Sequence, residues 1–294
     1  MASSPEHIGA STVKGDADQL PWIVNTSSAR RWPSLGFGQL WTHRELVFFF
    51  ALRDLKSRYK QALLGVAWAG IQPLVGALTF TVLFNRLNDV EIDGPSYFAF
   101  ALLGSGVWGY YSSTIQAGTT SLLANSELLT KVAFPRIVAP TATFVPGFID
   151  LAVATVLALV VNVAMGGGLA PLRLLLGVPS GVVLLVMAVA GPVYLFSAAV
   201  VKYRDVSTVV GFGMQFMLFA APIAFPPELV PGGWRTLMYV NPVSGAVGLL
   251  RWALVSTGIP TAAQLTTSLA SAVVVLLIGL VHFRRREREF ADII

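Results

Sequence analysis

The chain has 294 residues, 55% of them hydrophobic and only 12% charged, with a net charge of +5 and a mean hydropathy of +0.70. That balance excludes an ordinary soluble protein and points to one polytopic membrane domain, with too little polar sequence for a second folded domain. The basic residues stand in blocks beside apolar runs, as they do near anionic lipid headgroups, so no nucleic-acid partner is expected. The absence of cysteine excludes disulfides and thiolate chemistry.

Residues 1–35 are rich in Ser, Ala, Asp and Pro, lack apolar periodicity and carry no basic-then-apolar signal; a flexible cytoplasmic tail is expected. Residues 36–61 read as an amphipathic interface helix. Phe48, Leu52, Leu55, Tyr59 and Ala62 fall on one helical stripe, and Arg53, Lys56 and Lys60 lie on another face. At Arg53-Asp54-Leu55-Lys56-Ser57-Arg58-Tyr59-Lys60 this cationic segment stops, and from Ala62 to Phe84 no ionisable side chain occurs. Charge enters hydrocarbon only at high cost, so the junction marks a membrane boundary, with its positive side in the cytoplasm.

Six spans are predicted over residues 62–84, 97–118, 137–165, 174–200, 208–225 and 264–283, inside a membrane domain of 62–283. Between Pro226 and Pro260 the apolar run Val243–Leu250 is short and ends at Arg251, so it cannot cross alone. Asn241 as cap and Pro242 in the first turn predict a helix start there, in a re-entrant or interfacial element on the outer face. Residues 284–294 form a basic C-terminus. With both ends inside, 16 of the 20 Lys and Arg residues lie on the cytoplasmic side.

The cytoplasmic loop at 119–136 places Leu122, Leu129 and Val132 on one helical face, with Asn125, Glu127 and Lys131 around it. A plain connector and a helix that docks into a partner's groove both fit these residues. None of the five lysines follows a glycine, so no phosphate loop is present and any nucleotide must bind elsewhere. His7, His43 and His282 stand apart from any carboxylate at metal-ligand spacing. Asp150 is the one ionisable residue deep in a predicted span, and such a group needs protein or water beside it. Aromatics cluster at Phe80, Phe84, Trp108, Tyr110 and Tyr111. They fit interfacial anchors or a conduit whose rings stack on sugars. Gly104, Gly106 and Gly109 would permit close helix contact, as at a dimer seam.

The junction Arg53–Tyr59, followed by Leu64-Gly65, Trp68 and Pro73, resembles the signature of type-2 ABC exporter permeases. The likeness is greatest to those exporting O-antigen, teichoic acid or mycobacterial galactan. Asn125–Arg136 resembles that family's first cytoplasmic loop and Tyr203-Arg204-Asp205-Val206 its second, while Asn241-Pro242 with Arg251, and Phe290-Ala291-Asp292, also fit. The resemblance covers about residues 40–294 and implies an all-α integral membrane fold in the inner (plasma) membrane, working as a homodimer. Two separate ATPase subunits would hold the ATP and Mg, with no cofactor in this chain. Asn125, Glu127, Leu129, Lys131, Tyr203, Arg204 and Asp205 would then couple to the ATPase. Arg53, Lys56, Arg58 and Lys60 would meet the lipid headgroup where a polyprenyl-pyrophosphate-linked polysaccharide comes in. A type-2 permease for a drug or simple lipid shares the fold. A membrane glycosyltransferase is disfavoured by the lack of a catalytic constellation, and a secondary transporter by the lack of an internal repeat.

Overall fold

The computed structural model describes residues 37–60, 65, 67–88, 92, 94–131 and 134–287. The expected tail at 1–35, Leu64, Val132 and the Phe290–Asp292 ending lie outside the described residues. Every regular element described is helical. In chain order they are α1 (Phe37–Thr42), α2 (Arg44–Lys60), α3 (Ala67–Phe80), α4 (Tyr97–Ala124), α5 (Ser126–Lys131), α6 (Val138–Ala142), α7 (Phe144–Ala164), α8 (Pro171–Lys202), α9 (Val206–Phe219), α10 (Gly232–Val240), α11 (Pro242–Leu254) and α12 (Ala262–Arg286). A π-helical turn at Thr81–Arg86 extends α3, and a 3₁₀ turn at Pro227–Leu229 precedes α10.

Local chemistry accounts for several boundaries. Ser96 caps α4 by accepting from the Ala99 amide, and Thr261 caps α12 by accepting from Gln264. Asn241 accepts from the Val243 amide at 3.2 Å with Pro242 in the first turn, which is the start predicted for α11. Arg284, Arg285 and Arg286 occupy the last turn of α12, where cations favour the negative end of the helix dipole.

Four helical segments are long and apolar enough to cross a membrane: Ala67–Arg86, Val138–Ala164, Pro171–Lys202 and Ala262–Arg286. The other two predicted spans differ from them in opposite ways. α4 has 28 residues, but hydroxyl and amide side chains along it lower its hydropathy. α9 is apolar but has only 14 residues, because the chain leaves the helix at Ala220 instead of continuing to 225. At 1.5 Å per residue it is about 21 Å long, short of a ~30 Å core.

α8 packs against α12, α11 and α4 and forms the centre of the bundle. Gly191 and Gly279 let α8 and α12 approach until a side chain on Gly279 would collide with the Gly191 carbonyl. A hydrophobic cluster of Leu122, Ile137, Ala198, Val201, Leu280 and Phe283 gathers the C-terminal ends of α4, α8 and α12 at one end of the bundle. Glu127 of α5, Tyr203 and the Arg284–Arg286 run of α12 therefore share that end.

α2 packs one side against α6. Phe50 and Ala51 pack on Val138, Ala142 and Phe134. Phe48 and Leu52, on the apolar stripe read from the sequence, are exposed, with Phe49 and Trp41 exposed beside them.

Candidate functional site

Three regions carry the polar and aromatic groups singled out in the sequence. The first lies where α2 meets α7. Arg58 donates to one Asp150 oxygen at 2.7 Å, and the Tyr59 hydroxyl donates to the other at 2.5 Å. Burial first, and then the bond to Asp150, push the Tyr59 phenol up to about 12, so it keeps its proton and stays a donor at neutral pH. Asp150 is thus partnered by α2, across 92 residues of sequence, and among the described residues not by another candidate span. Arg53 pairs with its neighbour Asp54 at 2.6 Å, while Lys56 and Lys60 are exposed.

Two cavities flank this clamp. One of about 250 Å³ runs beside α3 and is lined by Arg58, Asp150, Gln72, Phe80, Ser105 and Trp108, among others. A more polar one, of about 350 Å³, lies between α2, α4 and the start of α7. Arg58 and Ser113 belong to both. Of the aromatics, Phe80 and Trp108 face the first cavity, and Phe84 packs on Phe225 at 5.7 Å. Tyr110 and Tyr111 are fully buried in the core, Tyr110 against Phe148 at 4.8 Å and Tyr111 against Trp108 at 5.5 Å. The outer face of α4 carries Ser105, Gly109, Ser112, Gln116 and Thr120, all exposed or half-buried and none of them a large apolar residue. Exposed aromatics missing from the sequence reading stand on α9: Phe212, Phe216 and Phe219, at i, i+4 and i+7. Their spacing was visible, but an apolar span offers many such triplets.

The second region is the α5 end of the bundle. Glu127 and Leu128 are exposed, as are Tyr203, Arg204 and Asp205. Asn125 is buried instead; it ends α4, and its Nδ2 donates to the Ser121 carbonyl at 2.7 Å. The backbones of Leu129 and Lys131 lie in α5. Arg136 donates to the Glu287 carbonyl and so ties the segment after α5 to the end of α12.

The third region, at the opposite end, is built around Arg251. It is 3% exposed and donates to three backbone carbonyls, those of Phe100, Pro222 at 2.6 Å and Ile223 at 2.5 Å. Its guanidinium also lies 3.4 Å from the centroid of the Phe100 ring. Room for it comes from Gly104, where any side chain would strike the guanidinium. Gly106 is likewise filled by Ala154, which leaves Gly109 alone of the three facing open space. The small-residue seam expected on α4 is therefore largely an internal contact.

A sequence profile of the family described as ABC-2 type transporter matches residues 45–255, which take in α2 through α11. The chain belongs to that family. Among relatives of this ABC-2 chain is the O-antigen export system permease protein RfbA of Klebsiella pneumoniae, 25% identical over 251 residues, covering 85% of this chain and 95% of the relative. The protein of the same name from Myxococcus xanthus is 27% identical over 256 residues, covering 86% of this chain and 97% of its own length. The family match and the apolar helices make this a membrane permease.

Proposed function

We propose that this chain is the membrane subunit of an ATP-driven exporter that carries a polyprenyl-linked polysaccharide out across the plasma membrane. One observation carries the reading beyond the family. α4 sits among apolar helices yet leaves a stripe of Gly109, Ser112, Gln116 and Thr120 uncovered, beside the cavity bearing Phe80 and Trp108. A hydroxyl and amide face is poorly solvated by lipid tails and well solvated by water or a glycan. Aromatic rings next to it suit the apolar faces of sugars.

In this reading six helices cross, with α4 and α9 completing the four apolar ones, and both termini are cytoplasmic. Two copies place their α4 stripes around one path. α5 and the Tyr203–Asp205 loop, at the same end of the bundle, dock an ATPase subunit that binds ATP and Mg. Arg53, Lys56, Arg58 and Lys60 meet the pyrophosphate-bearing headgroup on that side. The named function of the two relatives agrees with this cargo.

Depleting the protein should make a lipid-linked glycan accumulate inside the cell; accumulation of no glycan species would defeat the export reading. Glu127→Arg should abolish export while the protein still inserts, and unchanged export would remove α5 from the coupling role. The purified chain should turn over no ATP, since it has no phosphate loop.

A further inference from the structure

A cavity of about 380 Å³ opens at the Arg251 end of the bundle, between the turn after α9 and the loop from α11 to α12. Arg251 and Gln264, 3% and 4% exposed, form its deep wall, and the exposed Glu228, Leu229 and Ile259 form its rim. Its polar groups are incompletely used. A guanidinium has five N–H groups. Arg251 commits one from Nε and two from Nη2 to the Phe100 and Ile223 carbonyls, and one from Nη1 to Pro222, which leaves a second Nη1 proton over. Phe100 and Pro222 belong to the same wall, so that proton lies against the cavity.

Gln264 gives its Nε2 to the Ser244 carbonyl and hydroxyl, at 3.1 and 3.3 Å. Its Oε1 accepts from none of the described residues and, unlike the sealed Tyr110 hydroxyl of the core, it opens on the cavity. The field of the Glu228 carboxylate reaches Arg251, yet among the described residues Glu228 forms no ion pair. One cation and one anion thus share a cavity without meeting, and a buried acceptor beside them lacks a donor. Such atoms are almost always satisfied by water or a ligand. Water could meet each polar atom singly, but Leu229 and Ile259 at the mouth are poor neighbours for water and good ones for acyl chains.

We infer that this cavity binds the phosphoethanolamine head of a membrane phospholipid. The phosphate accepts from Arg251, and the ammonium donates to Gln264 Oε1 and meets Glu228. A phosphocholine head has the same charges but no N–H for the Gln264 oxygen. A phosphoglycerol head has donors, but it adds net negative charge to a cavity already balanced by one cation and one anion. A pyrophosphate brings acceptors only and would face both Glu228 and Gln264 Oε1. The acyl chains leave across Leu229 and Ile259. The volume is at the lower end of the range for small-molecule sites, enough for a headgroup and too small for a whole lipid.

The wall joins the first turns of α4 and α12, the turn after α9, and α11, so one headgroup ties four elements together and should raise Tm. That the lipid comes from the outer leaflet rests on the orientation proposed above; the binding itself does not.

The test uses the full chain in maltoside micelles, with lipid binding read by native mass spectrometry. Dioleoyl phosphatidylethanolamine should bind at one site at least fivefold more tightly than phosphatidylcholine or phosphatidylglycerol with the same chains. Glu228→Gln should weaken phosphatidylethanolamine about threefold, as for one partly exposed ion pair, and strengthen phosphatidylglycerol, with the Tm of the lipid-free chain unchanged. Gln264→Met should bring the preference for ethanolamine over choline close to one. That ratio is taken within one variant, so the lost bond to Ser244 does not mimic it. Glu45→Gln, exposed on α2, should change none of these values. Equal affinity for phosphatidylethanolamine and phosphatidylcholine, tighter binding of phosphatidylglycerol by the native chain, or an unaltered Glu228→Gln each overturns the inference. Glycerophosphoethanolamine should bind far more weakly than the lipid; equal binding would make this a site for a soluble ligand and overturn the lipid assignment. Glycan accumulation on depletion without lipid binding here sinks this inference alone, and lipid binding without accumulation sinks the export reading alone.

Discussion

Two arginines at opposite ends of the bundle are held in contrasting ways. Arg58 has a carboxylate partner in Asp150, and its side chain remains 37% exposed beside two cavities. Arg251 has no carboxylate among its bonded partners and is nearly sealed, its charge met by three carbonyl dipoles and an aromatic face. A charge paired with a charge near solvent can separate, because water takes over both partners at small cost. A charge caged by buried carbonyls cannot leave without stranding every one of them. The α2–α7 contact can thus separate at small cost, and the contact of α11 with α4 and the turn after α9 cannot.

Arg251→Met should produce the largest effect. It keeps apolar bulk but orphans the Phe100, Pro222 and Ile223 carbonyls, at about 1–3 kcal/mol each, so a loss of at least ~3 kcal/mol is expected. Thermal unfolding in detergent would register it, and a variant as stable as the native chain would break the contrast at its fixed end. Asp150→Leu comes next. It removes both bonds to α2, and after discounting for the exposure of Arg58 the expected loss is about 1–2 kcal/mol.

Tyr59→Phe should cost about 0.5–1.5 kcal/mol, the range for one hydrogen bond, because Arg58 still holds Asp150. A double-mutant cycle with Asp150→Leu would sharpen this, since a vanishing interaction energy would mean that the hydroxyl does not support α2. Asp150→Asn should be the mildest, within ~0.5 kcal/mol, since the amide oxygen still accepts from Tyr59 while the charge pair is lost. Raising salt should weaken the native α2–α7 contact and leave this variant unchanged. Impaired export by Asp150→Asn with intact assembly would show that the separable pair is used during transport.

Much of the architecture was legible beforehand for local reasons. The helix before the first span, the start of α11 at Asn241-Pro242 and the extent of α12 follow from periodicity, capping and charge within a few residues of each element. The shortness of α9 was not legible, because Ala220–Phe225 is apolar and its Pro222 is no firm stop in a chain whose helices also contain Pro73, Pro179 and Pro192. Nor was the burial of Tyr110 and Tyr111, since aromatics facing a core and a conduit read alike in sequence.

By itself the sequence determined that this is an all-helical membrane chain, which end of each span carries positive charge, and that no phosphate loop lies in it. Those properties come from hydration and hydrogen bonding over a few neighbouring residues, and no fold can override them cheaply. Only the tertiary structure decided that Asp150 answers Arg58 and Tyr59 from 92 residues away, and that Arg251 is caged by carbonyls rather than exposed. It also decided which residues of α4 line a cavity and which fill the core. Such contacts join residues far apart in the chain, and their energies depend on distance and burial, which no local pattern encodes.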